Sequence, residues 1–145
     1  MPGPRILLVE DNRLLRWWMS SSLERSGFVV FAPENVSDAL AAATSLRIDL
    51  LVTDWHLGGS VDGFEILAQA KRWSPSLFSI LISAEADDDL ALRARQTGFD
   101  VVIQKPFPVA EIVGAARGFA EKAKTCSPEG EPEAVCAHSS KTEVP

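Results

Sequence analysis

Four short apolar runs in this chain each end at a polar or charged residue. Segments whose apolar residues recur at helical spacing separate the runs. Short apolar strands that alternate with single helices predict a parallel sheet covered by helices on both faces, with right-handed crossovers. The runs lie at 6–9, 50–53, 78–82 and 101–104, and the residues that follow them are Glu10 with Asp11, Asp54, Ser83, and Lys105 with Pro106.

The helical segments, together with a further short strand at 28–31, complete five strand–helix units. In the first helix, Leu15, Trp18, Met19 and Leu23 recur on one face, which places all four in the predicted core. The last helix carries an apolar stripe from Val109 that fades after Lys122. We therefore predict one domain over residues 4–122.

The polar residues after the strands should meet at one edge of the sheet, because ligand sites of such sheets lie beyond the carboxyl ends of the strands. Close carboxylates repel by roughly 4 kcal/mol per pair at an effective dielectric of about 20, so Glu10, Asp11 and Asp54 together require a cation. Ligands that are all oxygen suit Mg²⁺, which keeps part of its hydration shell and often shares its other positions with a phosphate. A carboxylate beside Mg²⁺ and the Lys105 ammonium can act as a nucleophile toward a phosphoryl group.

Five motifs resemble the receiver domain of two-component response regulators, over roughly residues 4–122. The resemblance implies a flavodoxin-like, doubly wound α/β fold with a five-stranded parallel sheet in the order 2-1-3-4-5 and helices on both faces. The motifs are Val9-Glu10-Asp11-Asn12, Leu51-Val52-Thr53-Asp54-Trp55, Asp62-Gly63, Leu81-Ile82-Ser83-Ala84 and Gln104-Lys105-Pro106-Phe107.

The same resemblance implies a role for each site residue. Asp54 is the expected phosphoacceptor, and Ser83 and Lys105 are expected to bind the phosphoryl group. Glu10, Asp11, Asp54 and the backbone carbonyl of His56 are the expected Mg²⁺ ligands. The peptide bond between Lys105 and Pro106 is expected to be cis, a form that X-Pro bonds adopt at low cost.

The expected function is that of a stand-alone response regulator. A histidine kinase or a histidine phosphotransfer protein would supply the phosphoryl group, and the output would be contact with a protein target or a homodimer through helix four, strand five and helix five. Slow self-hydrolysis is implied, but no enzyme activity in the usual sense. Val102 occupies the position where the family commonly has a tyrosine or phenylalanine, so the aromatic half of the usual switch is absent.

Composition excludes other classes of function. The formal net charge of −6 repels phosphate backbones, so we expect no direct nucleic-acid binding. No stretch approaches the roughly 20 apolar residues that cross a bilayer, so we expect a cytoplasmic protein without a membrane partner. Residues 123–145 are rich in Ser, Pro, Glu, Gly and Ala without periodicity, which predicts a disordered tail.

Two other functions stay open at this point. One is a degenerate receiver that binds proteins independently of phosphorylation. The other is a phosphatase like the haloacid dehalogenases, which needs a second aspartate two positions after Asp54, where this chain has His56. A further hypothesis concerns Trp17, which lies off the apolar face of helix one: it either helps dock the phosphodonor or packs in the core.

Overall fold

The sheet has five parallel strands in the order β2-β1-β3-β4-β5, as predicted. The computed structural model describes residues 3–85 and 88–125. The strands are β1 (Arg5–Val9), β2 (Val29–Phe31), β3 (Leu50–Asp54), β4 (Phe78–Ser83) and β5 (Val101–Gln104). The helices are α1 (Arg13–Arg25), α2 (Val36–Ala43), α3 (Gly63–Trp73), α4 (Asp88–Thr97) and α5 (Val109–Thr125). None of the described helices is both long and apolar enough to cross a membrane.

The chain divides into two compact units, Met1–Val113 and Gly114–Pro145. The first unit holds the sheet, α1 to α4 and the first residues of α5. The described part of the second unit is helical through Thr125, three residues beyond the predicted end at Lys122. The rest of the predicted tail, residues 126–145, lies outside the described residues.

The core of the first unit lies on both sides of the central strands. Successive strand residues point to opposite faces of a sheet. Leu7 and Val9 of β1 accordingly belong to a cluster with buried residues of α2, α3 and α4. Ile6 and Leu8, also fully buried, point the other way, toward the face on which α1 buries Met19 and Leu23.

Helix α1 corrects one prediction, because Trp18 is 53% exposed rather than in the core. Met19 and Leu23 are the buried residues of this helix. Adjacent helical positions are separated by about 100° around the axis, so Trp18 lies beside the buried stripe rather than on it. A large indole at the edge of a stripe remains partly in solvent.

Side-chain caps fix where the helices after β1, β2 and β3 begin. Asn12 accepts a hydrogen bond from the Leu15 N–H at 2.9 Å, and Asn35 does the same for Asp38 at 2.8 Å. Asp62 caps α3 through the Glu65 N–H. Such caps satisfy N–H groups that have no partner within the helix. They fix the short loops that carry the polar residues at the edge of the sheet.

Candidate functional site

The pairing register brings the predicted polar residues to one edge of the sheet. Val9 of β1 lies beside Thr53 of β3, Asp54 beside Ile82, and Ser83 beside Gln104. Asp54 therefore ends the central strand, with Glu10 and Asp11 after the neighbouring strand on one side. On the other side, the Lys105 N–H donates to the carbonyl oxygen of Ser83 at 2.7 Å, which fixes the start of the loop after β5.

The three predicted acidic residues converge. Glu10, Asp11 and Asp54 each offer a carboxylate oxygen, and these oxygens all lie within 4.8 Å of one another. Glu10 and Asp54 are buried, whereas Asp11 is exposed. Like charges at this separation repel strongly in a partly buried site. The cluster therefore needs positive charge close by.

Lys105 supplies part of that positive charge. Its Nζ lies 2.9 Å from Asp54 Oδ2 and 3.2 Å from Glu10 Oε1, so the ammonium bridges two of the three carboxylates. Burial alone lowers the pKa of Lys105. The hydrogen bond to Asp54 and the negative charge of Glu10 outweigh burial, so the pKa of Lys105 is raised and the side chain stays charged.

Glu10 is the acid most affected by its surroundings. Its side chain is fully buried, and burial raises its pKa to about 7. The backbone N–H of Asn12, which donates to Glu10 Oε2 at 3.0 Å, acts in the opposite direction, while the charge of Asp54 adds to the rise. The Lys105 ammonium offsets the burial only in part, so the metal-free site holds a carboxyl group that titrates near neutrality.

These residues fit a hard divalent cation. Glu10 Oε1 is buried and accepts no hydrogen bond within the described part of the chain; its contact with Lys105 Nζ lacks hydrogen-bond geometry. A buried carboxylate oxygen without a donor is unusual, and a cation satisfies it. The donor set contains only oxygen, which favours Mg²⁺ or Ca²⁺ over softer metals. A cleft of about 210 Å³ lies beside two of the three acids, Glu10 and Asp11.

Ser83 and His56 lie at the same edge of the sheet. Ser83 is buried, and its Oγ accepts a hydrogen bond from the N–H of Glu85 at 3.0 Å. The His56 side chain is exposed, and its Nε2 lies 3.1 Å from Glu85 Oε2. The part of the backbone carbonyl of His56 in metal binding stays a prediction. The bond between Lys105 and Pro106 is cis, as expected.

Gly63 is required by its distance from Asp54. A Cβ atom built at Gly63 would lie 2.5 Å from the carbonyl oxygen of Asp54. The Gly63 N–H donates to the carbonyl oxygen of Trp55 at 2.9 Å, which holds the start of α3 against the loop after β3. Only a residue without a side chain allows this approach. Asp62-Gly63 is one of the five sequence motifs, but the motif gave no signal for this contact with Asp54.

Sequence reasoning missed two arginines near the site. Arg16 of α1 donates from Nη1 to the carbonyl oxygen of Glu10 at 2.9 Å, and so holds the backbone of the acidic loop. Arg93 of α4 lies over the ring of Trp55, the residue after Asp54. Neither belongs to one of the motifs that predicted the site. The alternation of strands and helices gave no signal for contacts between a helix surface and a loop.

Comparisons with known proteins agree with this geometry. A sequence profile described as "Response regulator receiver domain" matches residues 6–117. The C4-dicarboxylate transport transcriptional regulatory protein DctD of Rhizobium meliloti is 31% identical over 83% of this chain and 26% of its own length. The phosphate regulon transcriptional regulatory protein PhoB of Pseudomonas aeruginosa is 30% identical over 78% of this chain and 50% of its own length. The chain thus spans only a quarter to a half of these relatives.

Solved structures support the same fold. A CheY-like receiver domain protein from Methanospirillum hungatei is 21% identical, with a TM-score of 0.76, over 85% of this chain and 98% of that chain. A response regulator from Burkholderia pseudomallei, with a phosphorylated aspartic acid, a calcium ion and citrate, is 25% identical, with a TM-score of 0.69, over 86% of this chain and 76% of that chain. The match of the family profile over most of the chain, with the converging acids and lysine, shows that this chain belongs to the response regulator receiver domain family.

Proposed function

We propose that this chain accepts a phosphoryl group on Asp54 in a Mg²⁺-dependent reaction and uses the added charge to change a protein-binding surface. One observation carries the proposal. The Lys105 ammonium lies 2.9 Å from the buried Asp54 carboxylate, while Glu10 and Asp11 complete an acidic cluster around it. A phosphorylated aspartic acid and a calcium ion in the related Burkholderia pseudomallei protein give further support.

The donor in this proposal is the phosphohistidine of a histidine kinase or a histidine phosphotransfer protein. A carboxylate oxygen of Asp54 attacks the phosphorus atom and forms a new P–O bond. The P–N bond of phosphohistidine breaks, and its electron pair stays on the imidazole nitrogen, which then takes up a proton. The product is an acyl phosphate on Asp54 and an unmodified histidine on the donor.

Different residues around Asp54 would bind the phosphoryl oxygens in different ways. Lys105 places its positive charge beside Asp54 Oδ2 before the reaction begins, so little reorganisation is needed. The Ser83 hydroxyl, whose oxygen accepts the Glu85 N–H, can donate its hydrogen to a phosphoryl oxygen. Mg²⁺ held by Glu10, Asp11, Asp54 and the backbone carbonyl of His56 would supply further positive charge to the same oxygens.

The α1 surface supports a protein as the phosphodonor. Leu14, Trp17 and Trp18 are 68%, 64% and 53% exposed on this one helix. Leu15, on the next face, lines a mostly apolar cleft of about 400 Å³ together with Lys105 and its neighbours Pro106 and Phe107. An exposed apolar patch of this kind is typical of a protein-binding surface. A donor docked on α1 would therefore lie close to the lysine of the site.

Phosphoryl uptake is the direct test. The purified chain is incubated with acetyl phosphate and Mg²⁺, and the products are resolved by intact mass. We expect one added phosphoryl group, which disappears in Asp54→Asn or when the divalent ion is chelated. Asp89→Asn is the matched control, because Asp89 is an exposed aspartate of α4, and it should be modified like the wild type.

The same experiment separates the alternatives. A protein-binding module that works independently of phosphorylation would take up no phosphoryl group under any condition. A phosphatase like the haloacid dehalogenases would turn over a generic phosphomonoester, but the position of its second aspartate holds the exposed His56. Stand-alone action, a homodimer through α4, β5 and α5, slow self-hydrolysis and a cytoplasmic location all stay predictions.

A further inference from the structure

Trp55, the residue directly after Asp54, makes ring contacts with His56, Phe64 and Arg93. Its ring stacks on His56, with the centroids 4.2 Å apart and an interplanar angle of 24°. Phe64, in the first turn of α3, meets Trp55 edge to face at 6.1 Å. Arg93 of α4 places its Cζ 5.9 Å from the Trp55 ring centroid. Arg93 therefore links the residue after Asp54 to α4.

Arg93 makes its shorter contact with Phe64. Its Cζ lies 4.4 Å from the Phe64 centroid, well within the roughly 6 Å over which a cation is attracted to a ring face. Phe64 in turn meets the buried Phe99 edge to face at 5.5 Å, so the ring under the guanidinium is anchored in the core. Arg93 itself is exposed. The two rings rather than core packing therefore hold Arg93.

A second set of contacts joins the residues after β4 to the loop that follows Asp54. The Glu85 N–H donates to Ser83 Oγ, and Glu85 Oε2 lies 3.1 Å from His56 Nε2. His56 stacks on Trp55, and Trp55 contacts Arg93. The segment from Ser83 to Arg93 is thus attached at both ends to the loop that follows Asp54.

The family's usual aromatic residue in β5 is absent here. Val102 packs half-buried against the core and has no ring that could turn inward. Two aromatic side chains near the site, Trp55 on the loop after β3 and Phe64 on α3, contact Arg93. An aromatic contact that responds to the state of Asp54 can therefore involve Trp55 or Phe64, both of which contact Arg93 of α4.

We propose that Arg93 is the positioning residue that couples the state of Asp54 to α4. A phosphoryl group on Asp54 draws the Ser83 hydroxyl toward it, which strains the contact between Glu85 and His56. The Trp55 ring then shifts relative to Arg93, and α4 changes its local stability. This inference rests on the proposed function, because it takes Asp54 as the site of modification.

Amide hydrogen exchange of α4 (Asp88–Thr97) tests the coupling. The full chain is compared without ligand and with Mg²⁺ and beryllofluoride, a stable mimic of the phosphoryl group. In the unloaded state, Arg93→Met should speed exchange in α4 by about two- to fivefold, the effect of losing one exposed cation–π contact. In Arg93→Met, the difference in α4 exchange rate between the loaded and the unloaded protein should be smaller than in the wild type by a similar factor. Arg93→Lys, which keeps the charge, should retain part of that difference.

Arg95→Met is the matched control, because Arg95 lies on the same helix and lines the cleft beside Val102. It should keep the full response of α4 to loading. A full response in Arg93→Met, or no response in the wild type once loading of Asp54 is verified, would overturn the inference. A second measurement is a double-mutant cycle between Arg93→Met and Phe64→Leu in the unloaded protein. Additive effects on α4 exchange would contradict the contact.

The two proposals fail in different ways. If the wild type takes up neither beryllofluoride nor a phosphoryl group on Asp54, the proposed function is wrong. The exchange rates and the cycle in the unloaded protein then still report whether Arg93 holds α4 against the Trp55 loop. If Asp54 is modified normally and α4 responds equally in Arg93→Met and the wild type, only the role of Arg93 is wrong.

Discussion

The metal affinity of the acidic cluster should depend on pH near neutrality, because burial raises the pKa of Glu10 to about 7. A metal binds the carboxylate and not the protonated acid, so binding must displace the proton. With a pKa of about 7, roughly one tenth of Glu10 is ionised at about pH 6 and roughly nine tenths at about pH 8. The affinity for Mg²⁺ should therefore rise about tenfold between these conditions, or about 1.4 kcal/mol of binding free energy.

Isothermal titration of Mg²⁺ into the metal-free protein measures this effect. Titrations in buffers of different ionisation enthalpy should show nearly one proton released per ion at about pH 6 and almost none at about pH 8. Glu10→Gln should bind more weakly and lose the pH dependence. His56→Gln is the control and should keep the pH dependence, because only the backbone carbonyl of His56 is a predicted ligand. Equal affinity of the wild type at both pH values would refute the argument.

Three further predictions concern stability and transfer. The folded-state pKa of Glu10 is raised from 4.5 to about 7, so the metal-free protein loses stability as the pH rises through that window. In urea denaturation, the free energy of unfolding of Glu10→Gln should therefore exceed that of the wild type by about 1 to 3 kcal/mol at about pH 8. Below about pH 4 the two proteins should be equally stable. Trp17→Ala should slow phosphoryl transfer to Asp54 from a phosphohistidine protein while uptake from acetyl phosphate stays normal; an unchanged transfer rate contradicts the docking hypothesis. Gly63→Ala should destabilise the fold by about 1 to 3 kcal/mol, because its Cβ would meet the Asp54 carbonyl at 2.5 Å. Gly59→Ala is the control: Gly59 lies in the loop before α3 and has open space around it, so this change should have little effect on the melting temperature.

The sequence was sufficient to predict the sheet and the main residues of the site. Polar residues after buried strands are easy to recognise, and parallel pairing brings the carboxyl ends of neighbouring strands to one edge. Asp54, Glu10, Asp11 and Lys105 lie together for this reason. The family resemblance added the strand order, which the structure confirms, and the roles that stay predictions.

Other features depend on distances that a sequence pattern does not contain. Trp18 shows that helical spacing fixes the position of a residue around the axis only within broad limits, so a bulky ring beside the stripe remains exposed. The raised pKa of Glu10 depends on how completely the sheet edge covers its side chain. The contact of Arg93 with Phe64 joins two helix surfaces whose packing no motif specifies.

The charges around Asp54 have a consequence for the kind of ion that the site accepts. With all three carboxylates ionised, one ammonium leaves two net negative charges, which one divalent cation neutralises. A monovalent ion would leave an uncompensated charge in a partly dry site, and a trivalent ion would introduce a surplus of the opposite sign. Protonation of Glu10 would lower the net negative charge by one and so weaken the preference for a divalent over a monovalent cation. In the proposed metal site, Lys105 would therefore help to select the valence of the ion without being one of its ligands.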